Sequence, residues 1–417
     1  MLRTEVWKSS AQPHTAFLLF AVAFFFFHIG DSMMSYIAPV SIAKYMNSPA
    51  LMGVVLAFSS AIGIICDFTF PRLFTNKDSR FFNALLFGSV FFFPIAFLLF
   101  PTTVGFLLGM AVWGIYFESM LFSKYHLIQE RVHHEEHAWA WGILSVVQNL
   151  GLVIGPLLAS MLFDQDEKFP YIGAICAFLV GTYWYIGVRW SEKRKKIIHR
   201  HFTVIPTRSF LKELKIWTIF EKALWPLSLL TIVFFLIDSA FYSIGPLFAE
   251  ELQSFHPFGG AFVSIYSLPG LLTGMFMGKL SKPFGKKRLA FICGILSGIG
   301  LISMSMTTQM WSILGLTFFA SIGLGILYTA ISATMQDYLG RSTHYTNDLI
   351  GLTSICGSIG YVLGPLLNGV LAEVFGTHSV FRVWGIVLTF LSLFLLLTVK
   401  RKIRLPQQEL SQIEAIA

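Results

Sequence analysis

Charge is scarce in this chain. Asp, Glu, Lys and Arg make up only 12% of its 417 residues, against roughly 25% in an ordinary soluble domain. Apolar residues reach 55% and aromatics 16%, with 43 Phe, and the mean hydropathy is +0.69. Too little polar surface is left to coat a water-soluble body. The same numbers exclude a disordered chain, a collagen-like chain and a small disulfide scaffold. A polytopic, all-α integral membrane protein is the class that remains.

Other absences narrow the function. The four cysteines, Cys66, Cys176, Cys293 and Cys356, each sit alone in an apolar run, and no C-x-x-C pair exists. Disulfide, redox and cysteine-metal roles therefore find no support, and each is expected to be a small buried hydrophobe. The sequence has no P-loop, no G-x-S-x-G, no kinase signature and no Gly-rich dinucleotide fingerprint. Nothing in it calls for a cofactor, a metal, ATP-driven pumping or an embedded enzyme.

What the chain does have is long apolar runs. About 20 such residues cross a bilayer core of about 30 Å. Twelve runs qualify, at roughly 16–40, 51–70, 81–100, 102–123, 138–163, 170–190, 224–247, 259–280, 288–307, 310–335, 349–372 and 379–399. The first follows Arg3 and Lys8 but is too long for a signal peptide and lacks an A-x-A-like site, so it is read as a retained span. Backbone groups in lipid must be satisfied internally, so these runs are expected to be helices.

The formal net charge of +8 reports topology rather than a nucleic-acid partner. With the N-terminus in the cytoplasm, all of the 30 Lys and Arg except Lys44, Lys168 and Arg382 fall on the inner side. Both termini are then cytoplasmic, in the inner or plasma membrane. The longest polar stretch divides the chain. Residues 1–190 are expected to form one six-helix bundle and 224–399 a second. Between them, 191–223 is a basic cytoplasmic linker with an amphipathic helix around Phe210, Leu211, Leu214 and Trp217, and 400–417 is a tail.

The two bundles look like repeats. Asp31-Ser32 precedes Pro39 as Asp238-Ser239 precedes Pro246, an offset of 238 − 31 = 207 residues. The same offset carries Gly53 to Gly260 and Gly63 to Gly270.

Three local motifs give this architecture a family likeness. After span 8 the chain reads Gly278-Lys-Leu-Ser-Lys282-Pro283-Phe-Gly285-Lys286-Lys287-Arg288, similar to a G-x-x-x-D-R-x-G-x-R-R loop. Span 5 carries Gly151-Leu-Val-Ile-Gly155-Pro156, and span 11 carries Gly360-Tyr-Val-Leu-Gly364-Pro365. With twelve spans in two pseudo-symmetric halves, the chain resembles the major facilitator superfamily, in particular its twelve-helix drug:proton antiporters. It departs from the pattern in three places. Lys282 and Pro283 stand where the loop has Asp and Arg, the Phe70–Arg80 loop has lost the motif although Asp67 lies nearby, and Met110 stands where many proton-coupled members place an Arg. The resemblance implies the major facilitator fold, alternating access, and a central cavity lined by spans 1, 4, 7 and 10.

Independently of the family, glycines four apart let two helices approach closely, and a following proline kinks the helix. Gly151, Gly155, Pro156, Gly360, Gly364, Pro365, Gly278 and Gly285, with Lys287 and Arg288, are the candidates for helix packing and gating. Ionisable groups inside a bilayer are functional candidates by default. These are Asp31, Glu118, Asp238 and His28. Asp31 and Asp238 lie about fifteen residues from the cytoplasmic end, roughly 22 Å by the helical rise. His28 and Ser35 share the face of Asp31, and Tyr242 shares that of Asp238. Glu118 is expected to point inward beside Ala111 and Gly114, with Trp113, Tyr116, Phe117 and Met120 forming a stripe against lipid. With no Lys or Arg near mid-membrane, the acids suit proton coupling or attraction of a cation, and argue against phosphorylated or carboxylate substrates.

These residues fit secondary active transport, with proton-coupled efflux of a small lipophilic or cationic compound favoured. The expected partners are that small molecule, protons and the lipid bilayer. No nucleic acid is implied, and nothing demands more than a monomer. Proton-coupled uptake of a neutral solute, a sugar or nucleoside bound through Gln148, Asn149 and Asn368, stays open. So do lipid translocation and a non-transporting sensor.

One signal is discounted. His133-His134-Glu135-Glu136-His137 fits the H-x-x-E-H zinc-protease pattern, but it lies in a short loop with no soluble domain to build a cavity around it. Protein purified without a His-tag is expected to carry no stoichiometric zinc. One zinc per chain by elemental analysis would overturn that reading.

Overall fold

In a computed structural model the described residues are 3–73, 79–133, 136–192, 210–271, 280, 283, 285–339 and 346–399, and every regular element among them is helical. In chain order the first six helices are α1 (Arg3–Met46), α2 (Pro49–Leu73), α3 (Ser79–Leu99), α4 (Thr103–Arg131), α5 (His137–Phe163) and α6 (Phe169–Glu192). Then come α7 (Phe210–Ser243), α8 (Gly245–Gln253), a short 3₁₀ turn (Gly259–Ala261) and α9 (Phe262–Ser267). The last four are α10 (Lys286–Met306), α11 (Met310–Leu339), α12 (Thr346–Phe375) and α13 (Thr377–Thr398). Eleven helices among the described residues are long and apolar enough to cross a membrane. The expected eighth span falls partly on 272–279, outside the described residues. The all-helical architecture, with eleven of the twelve expected spans among the described residues, is the one the apolar runs predict.

The chain divides into two compact units. The first holds Met1–Val204 together with Ala249–Leu268, and the second holds Ile205–Phe248 and Pro269–Ala417. The stretch 193–209 of the basic linker lies outside the described residues, and the amphipathic stretch from Phe210 is helical and runs without a break into α7.

Within the first unit α1 packs against α5 and α6, and α4 packs against α2 and α3. In the second, α7 packs on α12, and α10 packs on α11 and α13. A helix surrounded by others must be apolar on every side. Phe17, Phe20, Phe24, Phe27, Ile37 and Ile42 are buried on α1, and Leu227, Leu230, Ile237 and Phe241 on α7, while the residues that turn outward, such as Leu18, Leu19 and Val22 or Trp225 and Leu229, are apolar as well.

The glycine motifs make these central contacts possible. Helices in lipid gain no hydrophobic driving force from meeting, so close backbone approach through small residues supplies van der Waals contact instead. A Cβ on Gly151 would stand 2.5 Å from the Cβ of His28, and one on Gly155 would stand 2.4 Å from that of Ser32. The second unit repeats the arrangement. A Cβ on Gly360 would meet the Cβ of Phe235 at 2.3 Å, and one on Gly364 would meet that of Ser239 at 2.5 Å. Since 28 + 207 = 235 and 32 + 207 = 239, the two seams close on repeat-related residues. Pro156 and Pro365 follow the seams and are buried.

Elsewhere the motifs serve other ends. Gly285 has φ +76° with open space around it, so it supplies the left-handed turn that starts α10 rather than a packing surface. Lys287 is buried and Arg288 is exposed in the first turn of α10, while Gly278 and Lys282 lie outside the described residues. The repeat also diverges at its prolines. Helix α1 runs straight through Pro39, whereas a turn at Ile244 separates α7 from α8 just before Pro246. One cysteine departs from expectation: Cys176 is exposed on α6, while Cys66, Cys293 and Cys356 are buried. An apolar run on a peripheral helix turns part of its circumference outward, and the sequence carries no sign of which part.

Gly155→Ala and Gly364→Ala are each expected to destabilise the purified protein by about 1–3 kcal/mol, as overpacked cores do. Gly142→Ala, on α5 with nothing within 4 Å, should instead be neutral or up to about 1 kcal/mol stabilising through helix propensity. Thermal unfolding in detergent distinguishes the three. Equal melting temperatures would sink the close-approach account.

Candidate functional site

His28 and Ser32 lie on the part of α1 that α5 covers, and Asp31 lies between them in sequence. Asp31 is 8% exposed and His28 4%, so each needs a partner. Helix α4 supplies both. The indole Nε1 of Trp113 donates to Asp31 Oδ1 at 2.8 Å, and Lys124 Nζ lies 2.9 Å from His28 Nε2. An ammonium has donors only, so Nε2 accepts and the imidazole proton resides on Nδ1. Trp113 is held by stacking on Phe93, with ring centroids 5.0 Å apart, and the Lys124 ammonium lies 5.8 Å from the centre of the Phe24 ring. Ser32 turns back to the His28 carbonyl at 2.6 Å. Ser35 is half-buried on the same helix. The result is an acid, an imidazole and an amine within one turn of α1.

This geometry corrects two expectations. First, the membrane-embedded region does hold a cation. Lys124 is 6% exposed and belongs to a helix that continues to Arg131, whereas the apolar run stops at 123. It shares a face of α4 with Met110, fourteen residues earlier, so the cation missing at Met110 is provided from the other end of the same stripe. The argument against anionic substrates from a lack of embedded bases therefore falls. Second, the aromatic stripe of α4 turns inward. Tyr116 is 1% exposed and Met120 3%, Trp113 binds Asp31, and only Phe117, at 51%, faces outward. Glu118 points inward as expected, toward α2, where a Cβ on Gly63 would lie 3.5 Å from its Oε1.

In the second unit the repeat-related acid is built differently. Asp238 is half-buried on α7 and accepts a hydrogen bond from the Tyr361 hydroxyl of α12. Aromatic rings gather around this position. Tyr328 stacks on Phe234 at 4.7 Å, and Phe235 lies 5.5 Å from Tyr328 and 5.2 Å from Tyr361. Tyr242 is half-buried one turn further along α7. Asn368 is fully buried and committed to packing: its amide reaches the Leu236 carbonyl at 3.3 Å, and Trp384 Nε1 donates to its oxygen at 2.6 Å. Asn149 is bonded at 2.9 Å to the Ser145 carbonyl of its own helix.

A polar cluster that the sequence did not single out closes one end of the first unit. It ties the segment Ala249–Leu268 to α1 and α5. Tyr36 donates to Glu250 Oε1 at 2.6 Å, Ser160 donates to Gln253 Oε1 at 2.5 Å, and the Gln253 amide donates to Asp164. Gly260 packs directly on Ser160. Burial raises the Glu250 carboxyl above its ordinary range. The Tyr36 hydrogen bond acts against the rise, and the negative charge of Asp164 adds to it.

Known proteins share part of this sequence and much of this fold. The profile of the Major Facilitator Superfamily matches residues 227–415. Among similar proteins are an uncharacterized MFS-type transporter, YuxJ, of Bacillus subtilis (strain 168), 27% identical over 58% of this chain and 61% of its own. Multidrug resistance protein MdtG of Serratia proteamaculans (strain 568) is 27% identical over 63% of each chain. Quinolone resistance protein NorA of Staphylococcus aureus (strain MSSA476) is 23% identical over 62% of this chain and 65% of its own. The chain thus spans less than two thirds of the length of each of these relatives. Among solved structures, the nucleoside transporter NupG has a TM-score of 0.69 at 12% identity, covering 92% of this chain and 100% of its own. A peptide transporter, POT, in complex with sulfate has a TM-score of 0.71 at 12% identity, covering 95% of each. At these identities the structures show a shared fold.

Because the folded Glu250 carboxyl sits above its unfolded value, its contribution to stability is present in acid and is lost as pH rises through the folded value. Wild-type protein should therefore lose thermal stability relative to Glu250→Gln as pH climbs out of the ordinary carboxylate range, the amide keeping an acceptor for Tyr36. Parallel melting curves across pH for the two proteins would contradict this.

Proposed function

We propose that this chain, similar to Major Facilitator Superfamily transporters, exports a small lipophilic cation in exchange for protons, by alternating access in the cell membrane with both termini cytoplasmic. One observation carries the reading: each unit places a carboxylate at the same repeat position, Asp31 and Asp238, with an aromatic donor, Trp113 or Tyr361, bonded to it. The surroundings assign the two acids different work. Lys124 and His28 beside Asp31 repel a cationic substrate but let a proton move among acid, imidazole and amine. Asp238 is bonded to Tyr361, whose ring adjoins a cluster with Phe235, Tyr328 and Phe234, and negative charge beside aromatic quadrupoles favours an organic cation. The likeness to MdtG and NorA, a multidrug and a quinolone resistance protein, supports export. So does the commitment of Asn149 and Asn368 to internal hydrogen bonds, which takes donors away from a neutral polar solute.

The glycine seams suit the moving parts. A backbone-to-backbone contact without interlocking side chains lets one helix slide on another at low cost. Gly151 and Gly155 bear directly on His28 and Ser32. Displacement along that seam therefore moves the proton-carrying turn of α1 relative to Trp113 and Lys124.

The test uses sealed proteoliposomes with an imposed pH gradient, following a fluorescent lipophilic cation and the internal pH together. Wild type should move cation and protons in opposite directions. Asp31→Asn should lose gradient-driven transport while still binding the cation, and Asp238→Asn should weaken cation binding about tenfold or more. Wild-type-like transport by Asp31→Asn under the gradient would sink the proposal.

A further inference from the structure

The second unit contains a pocket that neither acid uses. It has a volume of about 530 Å³ and lies between the Trp217–Ile232 stretch of α7 and the Leu352–Ile359 stretch of α12. We infer that this pocket is a binding site for a phospholipid, with the phosphate and ester oxygens at Trp217 and Lys222 and one acyl chain along Trp225, Ile355 and Ile359.

Three features select this occupant. The pocket is amphipathic in the direction of a lipid. Trp217, Thr218, Glu221 and Lys222 precede the membrane-crossing stretch Leu224–Ser243, Leu352 opens the stretch Leu352–Phe375, and Ile232 and Ile359 lie inside the two stretches. Its polar end carries the Lys222 ammonium, so a negatively charged headgroup meets attraction there. The wall also holds an unanswered donor. Trp217 Nε1 is buried without a hydrogen-bond partner, and a buried N–H in that state costs about 1–3 kcal/mol. An acceptor entering the pocket removes that cost.

The donor decides between the two kinds of amphiphile that fit the shape. A lipophilic cation offers no acceptor to the indole, and it meets the Lys222 ammonium as a like charge. The acid that would draw it, Glu221, already accepts a hydrogen bond from Ser228 at 2.8 Å. A phospholipid brings phosphate and ester oxygens to Trp217 and Lys222, and its chain fills the space against the isoleucines. Tryptophan at this depth is also the residue expected where a membrane protein meets the headgroup boundary. The inference is independent of which solute is transported.

Native mass spectrometry of the detergent-purified chain, titrated with phosphatidylglycerol or phosphatidylcholine, tests the site. Brominated-acyl versions of both lipids in bilayers report the same site through tryptophan quenching. Wild type should retain one phosphatidylglycerol at concentrations about tenfold below those needed for phosphatidylcholine. Trp217→Phe and Lys222→Gln should each lose most of that preference, and Ile355→Trp, which fills the pocket, should lose binding itself. Brominated phosphatidylglycerol should quench wild type more than Trp225→Phe. Equal retention of both lipids by wild type, or unchanged retention by the variants with monodisperse elution, would overturn the assignment. So would an absence of extra quenching from the brominated anionic lipid. Displacement of quenching by tetraphenylphosphonium but not by excess phosphatidylglycerol would assign the pocket to a cation instead.

Discussion

Close approach of helix backbones is the constraint from which the rest of this structure follows. Helix α5 can lie on α1, and α12 on α7, only because four glycines leave room for His28, Ser32, Phe235 and Ser239. That proximity shields the polar turn of α1 from lipid on one side, so its remaining hydrogen-bonding capacity must be met from α4. Trp113 and Lys124 meet it from positions eleven residues apart, about 16 Å along the helix, and both long side chains bend toward the same turn. A bulkier seam would push α1 outward and separate acid from donor.

The two units use one scaffold for unlike electrostatics. In the first, acid, imidazole and amine are packed together, so no charge is buried without compensation. In the second, a carboxylate is held by a phenol and bordered by rings. The repeat preserves where the acid stands and where the glycines bear, while side chains from neighbouring helices set what the acid can do.

How far the sequence reveals this depends on range along the chain. Apolar runs reveal the spans, because a bilayer imposes their length. The spacing of Asp31, Asp238 and the paired Gly-Pro motifs reveals the repeat, because it is preserved within single helices. Lys124 is hidden by the same criterion that finds the spans: a charge ends an apolar run, although a long flexible side chain reaches several ångströms back into the protein. The inward turn of Trp113, Tyr116 and Met120 is hidden because an aromatic stripe serves equally well against lipid and against a neighbouring helix. The bond from Tyr361 to Asp238 joins residues 123 apart, and the cluster around Glu250 joins Tyr36 to a segment 214 residues later. No local pattern encodes either one.

That last connection bears on how the protein is made. The first unit draws Ala249–Leu268 from beyond the linker and beyond the start of the second unit. A ribosome releasing this chain delivers six helices to the bilayer well before the segment that covers Tyr36 and Ser160 has been synthesised. Until then the hydroxyls of those two residues lack the partners they later hold in Glu250 and Gln253. The first six helices are thus an assembly intermediate rather than a finished domain, and the second half of the chain completes the first before its own helices are all in place.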